Sequence, residues 1–127
     1  MRNAVADLLT SSDLPPGFGY PPEFVRAVDL GVTALEPWEI LVGDRLRRRF
    51  AGLQARYLGS GYVPLAARLD CDDVACWTGP TSKITIVHDH ASPGWERRDR
   101  RSWPNFHAWL RAAVEDFIEW GDMEVGQ

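Results

Sequence analysis

An α+β domain is what this sequence predicts, on three observations. Helical patterns stand towards both ends of the chain, short strand patterns joined by tight turns fill the middle, and the last helix carries one unbroken apolar face. Strands linked consecutively as hairpins, with helices outside them, favour an antiparallel-rich sheet over a doubly wound parallel one. The expected architecture is a small sheet of about four strands flanked by helices, with a long C-terminal amphipathic helix packed on it.

The elements follow in chain order. Residues 1–9 form a short helix with Val5, Leu8 and Leu9 on one side, and 11–22 are a Pro/Gly-rich loop. PPEFVRAVDLG then reads as a helix. Pro21 or Pro22 suits its first turn, Glu23 its positive dipole end and Gly31 the position after its last turn, with Phe24, Val25 and Val28 facing inward. Residues 32–42, with Pro37 and Trp38 in the middle, suit a short strand or an extended loop over the core. In GDRLRRRFAGLQARYLG, Asp44 is a candidate cap, and Leu46, Phe50, Leu53 and Tyr57 make a helical stripe. Gly52 sits inside it at a cost of about 1 kcal/mol relative to Ala.

Strands are expected at 62–67, 73–78 and 83–88, the last rich in β-branched residues, with Gly79–Pro80 in a turn. ASPGWERRDRRSW is a polar loop. The final helix is expected to start at Ser102 or Trp103, carry Pro104 in its first turn and end at Gly121. Phe106, Trp109, Leu110, Ala113, Val114, Phe117 and Ile118 form its inward face, with His107, Arg111 and Glu115 opposite.

A chain of 127 residues predicts a single domain, 1–127, large enough to bury a core without staples. Usage is ordinary for a globular protein, 45% hydrophobic and 25% charged. Six tryptophans are many for this length, so core anchors and one or two surface rings are expected. The first residues hold no apolar run of signal-peptide length, and no segment nears membrane-spanning length. Two cysteines without an export signal point to free thiols in the cytoplasm. Charge is uneven: residues 1–42 carry −4, 43–111 carry +5 and 112–127 carry −5. An acidic protein with separated basic islands is a poor general nucleic-acid binder and a suitable partner for a basic protein.

The stretch Tyr62–His90 concentrates the reactive side chains. Asp70, Asp72, Asp73, Asp89, Cys71, Cys76, His88 and His90 are all metal-ligand types, and His88 and His90 would share a face if the strand continued. Yet C-x₄-C is not zinc-knuckle spacing, and the aspartates do not match a calcium loop. Cys76 paired with His88 or His107 would make a thiolate nucleophile, against the alternative of a small buried thiol. A Cys71–Cys76 disulfide across the turn is geometrically open. Asp72 and Asp73 are adjacent, so on a strand they face opposite sides and do not pair for hydrolysis. The basic clusters Arg47–Arg49 and Arg97–Arg101 read as solvated surfaces, the second beside Trp95 and Trp103 and so also a candidate for binding nucleic acid or an acidic protein patch.

Three motifs, in order, resemble the SUKH superfamily of yeast cell-wall-synthesis regulators and bacterial immunity proteins. LPPGFGYPPEFVRAV is similar to the family's early helix, YVPLAARLDCDDVACW to its strand, Asp-containing turn and second strand, and SWPNFHAWLRAAVEDFIEW to its C-terminal helix. The likeness spans about Leu14 to Trp120; it departs where the family commonly has Asn-Gly after the first helix, here Leu30–Gly31, and often Gly in the acidic turn, here Cys71 and Asp72. The resemblance implies a non-enzymatic binding protein without metal or cofactor. It implies an immunity protein that neutralises a cognate toxin, as a monomer or weak homodimer, without nucleic acid or membrane as partner. Asp70, Asp72, Asp73, Asp89 and Glu96, rimmed by Trp95, are then the expected partner surface. Two alternatives stand beside it: a small metal-dependent enzyme using Asp70, Asp72, His88 and His90, and a regulatory scaffold for a housekeeping protein.

Overall fold

The computed structural model describes residues 4–125. In chain order the elements are α1 (Ala4–Asp7), α2 (Pro22–Asp29), β1 (Ala34–Leu35), β2 (Trp38–Ile40), α3 (Gly43–Arg56), β3 (Tyr62–Arg68), β4 (Asp73–Thr78), β5 (Ile84–His88), β6 (Ser102–Trp103) and α4 (Phe106–Val125). The fold is α+β. One antiparallel sheet takes its six strands in sequence order, β1-β2-β3-β4-β5-β6.

Six strands replace the four expected. The additions are β1 and β6, of two residues each, at the two edges. A two-residue strand has no room for a period-two pattern, so sequence cannot announce it. β3, β4 and β5 lie within a residue of their expected limits. A register shift between Pro64 and Ala66 bulges β3 against β4, where the proline has no amide to give to a ladder.

These central strands are buried almost throughout rather than alternately, because helices cover both faces. On one face, Leu53 and Tyr57 of α3 pack with Tyr62, Val74, Cys76 and Val87. On the other, Phe24 of α2 and Phe106 and Trp109 of α4 close over Trp38, Trp77 and Ile86. Phe24 meets Trp77 edge-on at 5.0 Å, and Trp38 meets Trp109 likewise at 5.6 Å. Val74 and Cys76 of β4 therefore face α3, while Ala75 and Trp77 face α2 and α4. Both Cys76 and Trp77 anchor this strand, from opposite sides.

Helix limits differ from expectation where capping differs. Pro21 is the N-cap of α2 and Gly31 takes φ +78° after its end, as composition suggested. Residues 1–3 of the expected first helix lie outside the described residues; within the rest Leu8 and Leu9 are buried and Val5 is exposed. Asp44 does not cap α3, whose N-cap is Val42 without a side-chain bond. Ser102 and Trp103 are strand rather than helix. Asn105 Oδ1 accepts the Ala108 N–H at 2.9 Å, and α4 begins from that cap. Gly121 does not end α4, which continues to Val125.

Candidate functional site

The expected partner surface begins at the β3–β4 turn, and its carboxylates do not stand free. Arg68 Nε and Nη2 donate to the two oxygens of Asp70 at 2.8 and 3.0 Å. That fork holds the Asp70 carboxyl below its usual range, mainly through the hydrogen bond itself. Asp73 Oδ1 closes on His88 Nδ1 across the β4–β5 pair, where the two residues lie opposite each other. Asp72 alone keeps an exposed side chain without a hydrogen bond among the described residues.

Asp89 and Glu96 correct the expectation more sharply, because both are buried. Asp89 Oδ2 accepts Arg49 Nη1 at 2.8 Å and Arg56 Nη2 at 2.7 Å, while Oδ1 accepts Arg56 Nε at 2.7 Å and the His90 amide at 2.8 Å. Burial pushes this carboxyl up, but the bonds from Arg56 and Arg49 outweigh it and hold it below its usual range. Glu96 accepts Tyr62 Oη at 2.8 Å and the Gly94 amide at 2.7 Å. Burial and then this carboxylate push the Tyr62 hydroxyl up to about 12. These two acids clamp the 89–96 loop onto α3 and β3 and offer nothing to a partner. A buried charge needs such pairing, which the crowding of acids in the sequence hides. Of the six expected partner residues, Asp72 and Trp95 remain open, Trp95 being 67% exposed.

The proposed metal set is not assembled. β5 ends at His88, and His90 turns away with φ +67°, so the two imidazoles do not share a strand face. Asp70 is committed to Arg68 and His88 to Asp73. Among the described residues, no group of three or more His, Cys, Asp or Glu is disposed to hold a metal ion. Cys76 is fully buried, its Sγ has among the described residues only the Val74 carbonyl as hydrogen-bond acceptor, at 3.9 Å, and burial pushes its thiol far up. It meets neither His88 nor His107 as a nucleophile would. Both cysteines are free.

The surface that sequence reasoning missed lies on α4. The first half of the expected apolar face is core: Phe106, Trp109 and Ala113 are buried. Trp38 Nε1 then donates to Asp116 Oδ2 at 2.9 Å, pinning the helix to β2. Val114, Phe117 and Ile118 are exposed, Phe117 and Ile118 each to 47%. Helical spacing puts these three on one side, with Glu115, Glu119 and Asp122 along its border. The signal was available: residues 112–127 carry five acids and no basic residue.

Comparison with protein-family models, curated proteins and solved structures returns no match to this chain. No helix among the described residues is long and apolar enough to cross a membrane.

Proposed function

We propose that this chain is a non-enzymatic protein-binding module of the cytoplasm whose docking surface is the outer side of α4. The observation that carries the reading is the apolar strip Val114–Phe117–Ile118 bordered by acids, in a segment of sixteen residues with five carboxylates and no cation. Large apolar side chains left half in water and rimmed by polar groups have the anatomy of an interface core. The acidic border selects a basic partner and steers its approach, and it disfavours pairing of the strip with a second copy. The three motifs that resemble the SUKH superfamily support the narrower form of the reading, an immunity protein that binds and neutralises a basic toxin. Asp72 and Trp95 remain candidates for a second contact region.

Where a toxin-domain protein is encoded beside this chain, the test is binding to it, by calorimetry and stopped flow. Phe117→Ser with Ile118→Ser is expected to leave thermal stability nearly unchanged and to weaken binding by about a hundredfold or more. Glu119→Lys with Asp122→Lys is expected to slow association and flatten its salt dependence. Full-strength binding by both variants overturns the assignment. Loss of binding only in the Asp72→Ala, Asp73→Ala variant moves the interface to the β3–β4 turn.

A further inference from the structure

The other face of the molecule carries the opposite charge. Between α3 and the ends of β2 and β3 runs a groove enclosing about 430 Å³. Arg45, Arg48, Arg49, Arg56, Arg68 and His90 line it. Four of these arginines come from α3, where spacing of three to four residues turns them to one side. Arg68 comes from β3 across the groove, and His90 from the turn after β5. Leu41, Ala67 and Leu69 supply the apolar part, and no Phe, Tyr or Trp lines it.

Internal pairing does not exhaust these cations. Glu39 takes Arg45, Asp70 takes Arg68, and Asp89 takes Arg49 and Arg56 together. Arg48 forms no ion pair among the described residues. Asp116 also reaches Arg68, at 4.0 Å, so four carboxylates face five guanidinium groups and one positive charge, that of Arg48, is left in excess. Each guanidinium carries five N–H donors. Arg49 spends one on Asp89 and Arg56 two, so donors remain on both.

Asp89 lies buried beneath and fixes those two side chains in place before any ligand arrives, which lowers the entropic cost of binding. Gly52 completes the arrangement. A Cβ there would fall 2.5 Å from Arg56 Nη2 and 2.9 Å from Nη1, so the missing side chain is what lets Arg56 fold back along the helix.

We propose that this groove binds a small ligand bearing two linked phosphate groups. Guanidinium groups on opposite walls suit two oxyanions rather than one: Arg48 is open on the α3 side, and Arg68 across the groove keeps its Nη1 donors outside the Asp70 fork. The volume falls in the usual range for small-ligand sites. With no Phe, Tyr or Trp platform for a base and five guanidinium groups for oxyanions, recognition is of the paired phosphates rather than of a nucleobase.

Titration calorimetry with inorganic pyrophosphate, against chloride at equal ionic strength, tests this on the full chain. Saturable one-to-one binding is expected, at least about tenfold tighter than inorganic phosphate because guanidinium groups on both walls engage. Arg48→Gln removes an unpaired surface cation and is expected to weaken binding about tenfold with the melting temperature retained. Arg111→Gln on α4, outside the groove, is expected to change nothing. ADP is expected to bind no tighter than pyrophosphate. The proposal is overturned by absence of saturation up to about 10 mM, equal affinity for one phosphate and two, equal loss in Arg48→Gln and Arg111→Gln, or marked preference for ADP.

Discussion

Replacing Asp89 with Asn tests whether the buried carboxylate is the clasp between the 89–96 loop and α3. Its side chain is 0% exposed and accepts four N–H donors, three from guanidinium groups. The amide keeps the shape, loses the charge and turns an N–H₂ towards a guanidinium that has only donors. Removing one member of a buried ion pair typically costs about 3–5 kcal/mol. The arginine side chains keep 24% and 32% exposure and can swing into water, which argues for the lower end. A loss of about 3 kcal/mol is expected, equivalent to roughly 10 °C in melting temperature for a domain of this size.

Urea unfolding of the two proteins measures it, as a fall in midpoint with unchanged slope. The pH dependence supplies an internal check. The Asp89 carboxyl is held below its usual range when folded, so its stabilisation is fully present above the unfolded value of about 3.9 and disappears as pH falls through the folded value. The gap between wild type and variant is therefore flat from neutral pH to about pH 5 and narrows below about pH 4. Glu96 and Asp99 are depressed too, but both proteins share them and they cancel in the difference. A gap below about 1 kcal/mol near neutrality, or one that widens in acid, refutes the reasoning.

Two further outcomes probe the same region. Gly52→Ala gains about 1 kcal/mol of helix propensity but displaces Arg56 from Asp89, and a hydrogen bond to a charged group is worth about 1.5–3 kcal/mol. The substitution is expected to destabilise the wild type by about 1 kcal/mol and to stabilise an Arg56→Ala background by a similar amount. The same sign in both backgrounds would sink the account of Gly52. The two thiols should separate by accessibility: Cys71 is exposed and Cys76 is buried. A thiol-disulfide dye should titrate one equivalent in the native protein and a second only with unfolding, and two equivalents at one native rate would contradict the packing of β4.

What was legible in the sequence was whatever local spacing encodes. The stripe Leu46–Phe50–Leu53–Tyr57 and the β-branched run before His88 placed α3 and β5 to within a residue or two. Burial on both sheet faces was not legible, because a run such as VACW reads equally as one-sided alternation or as a fully covered strand. The site was misread for the same reason at longer range. Asp89 finds its partners 40 and 33 residues away, Glu96 finds Tyr62 34 away, and Trp38 finds Asp116 78 away. Acids adjacent in sequence look like a patch, yet all but Asp72 are assigned by the fold to separate partners. Arg49, Gly52 and Arg56 left the one local trace, two arginines seven residues apart on a helix with a glycine between them.

That internal assignment also explains where charge is left over. The loop and turn acids neutralise the arginines nearest the sheet, so surplus positive charge is left in the groove beside α3 and on the Arg97–Arg101 loop. The surplus negative charge collects on the end of α4, against the other face. Fully burying a charge is costly and pairing one at the surface gains little, so stability alone gives no reason to keep either surplus concentrated. Salt would weaken binding at both surfaces, but substitutions separate them, since Arg48 lies in the groove and Phe117 on α4. Arg68 is the one side chain near both: it forks Asp70 at the groove's rim and lies 4.0 Å from Asp116, the residue that pins α4 to Trp38. Any coupling between a phosphate in the groove and a protein on α4 has its shortest route through that guanidinium, and linkage requires it to act equally in both directions.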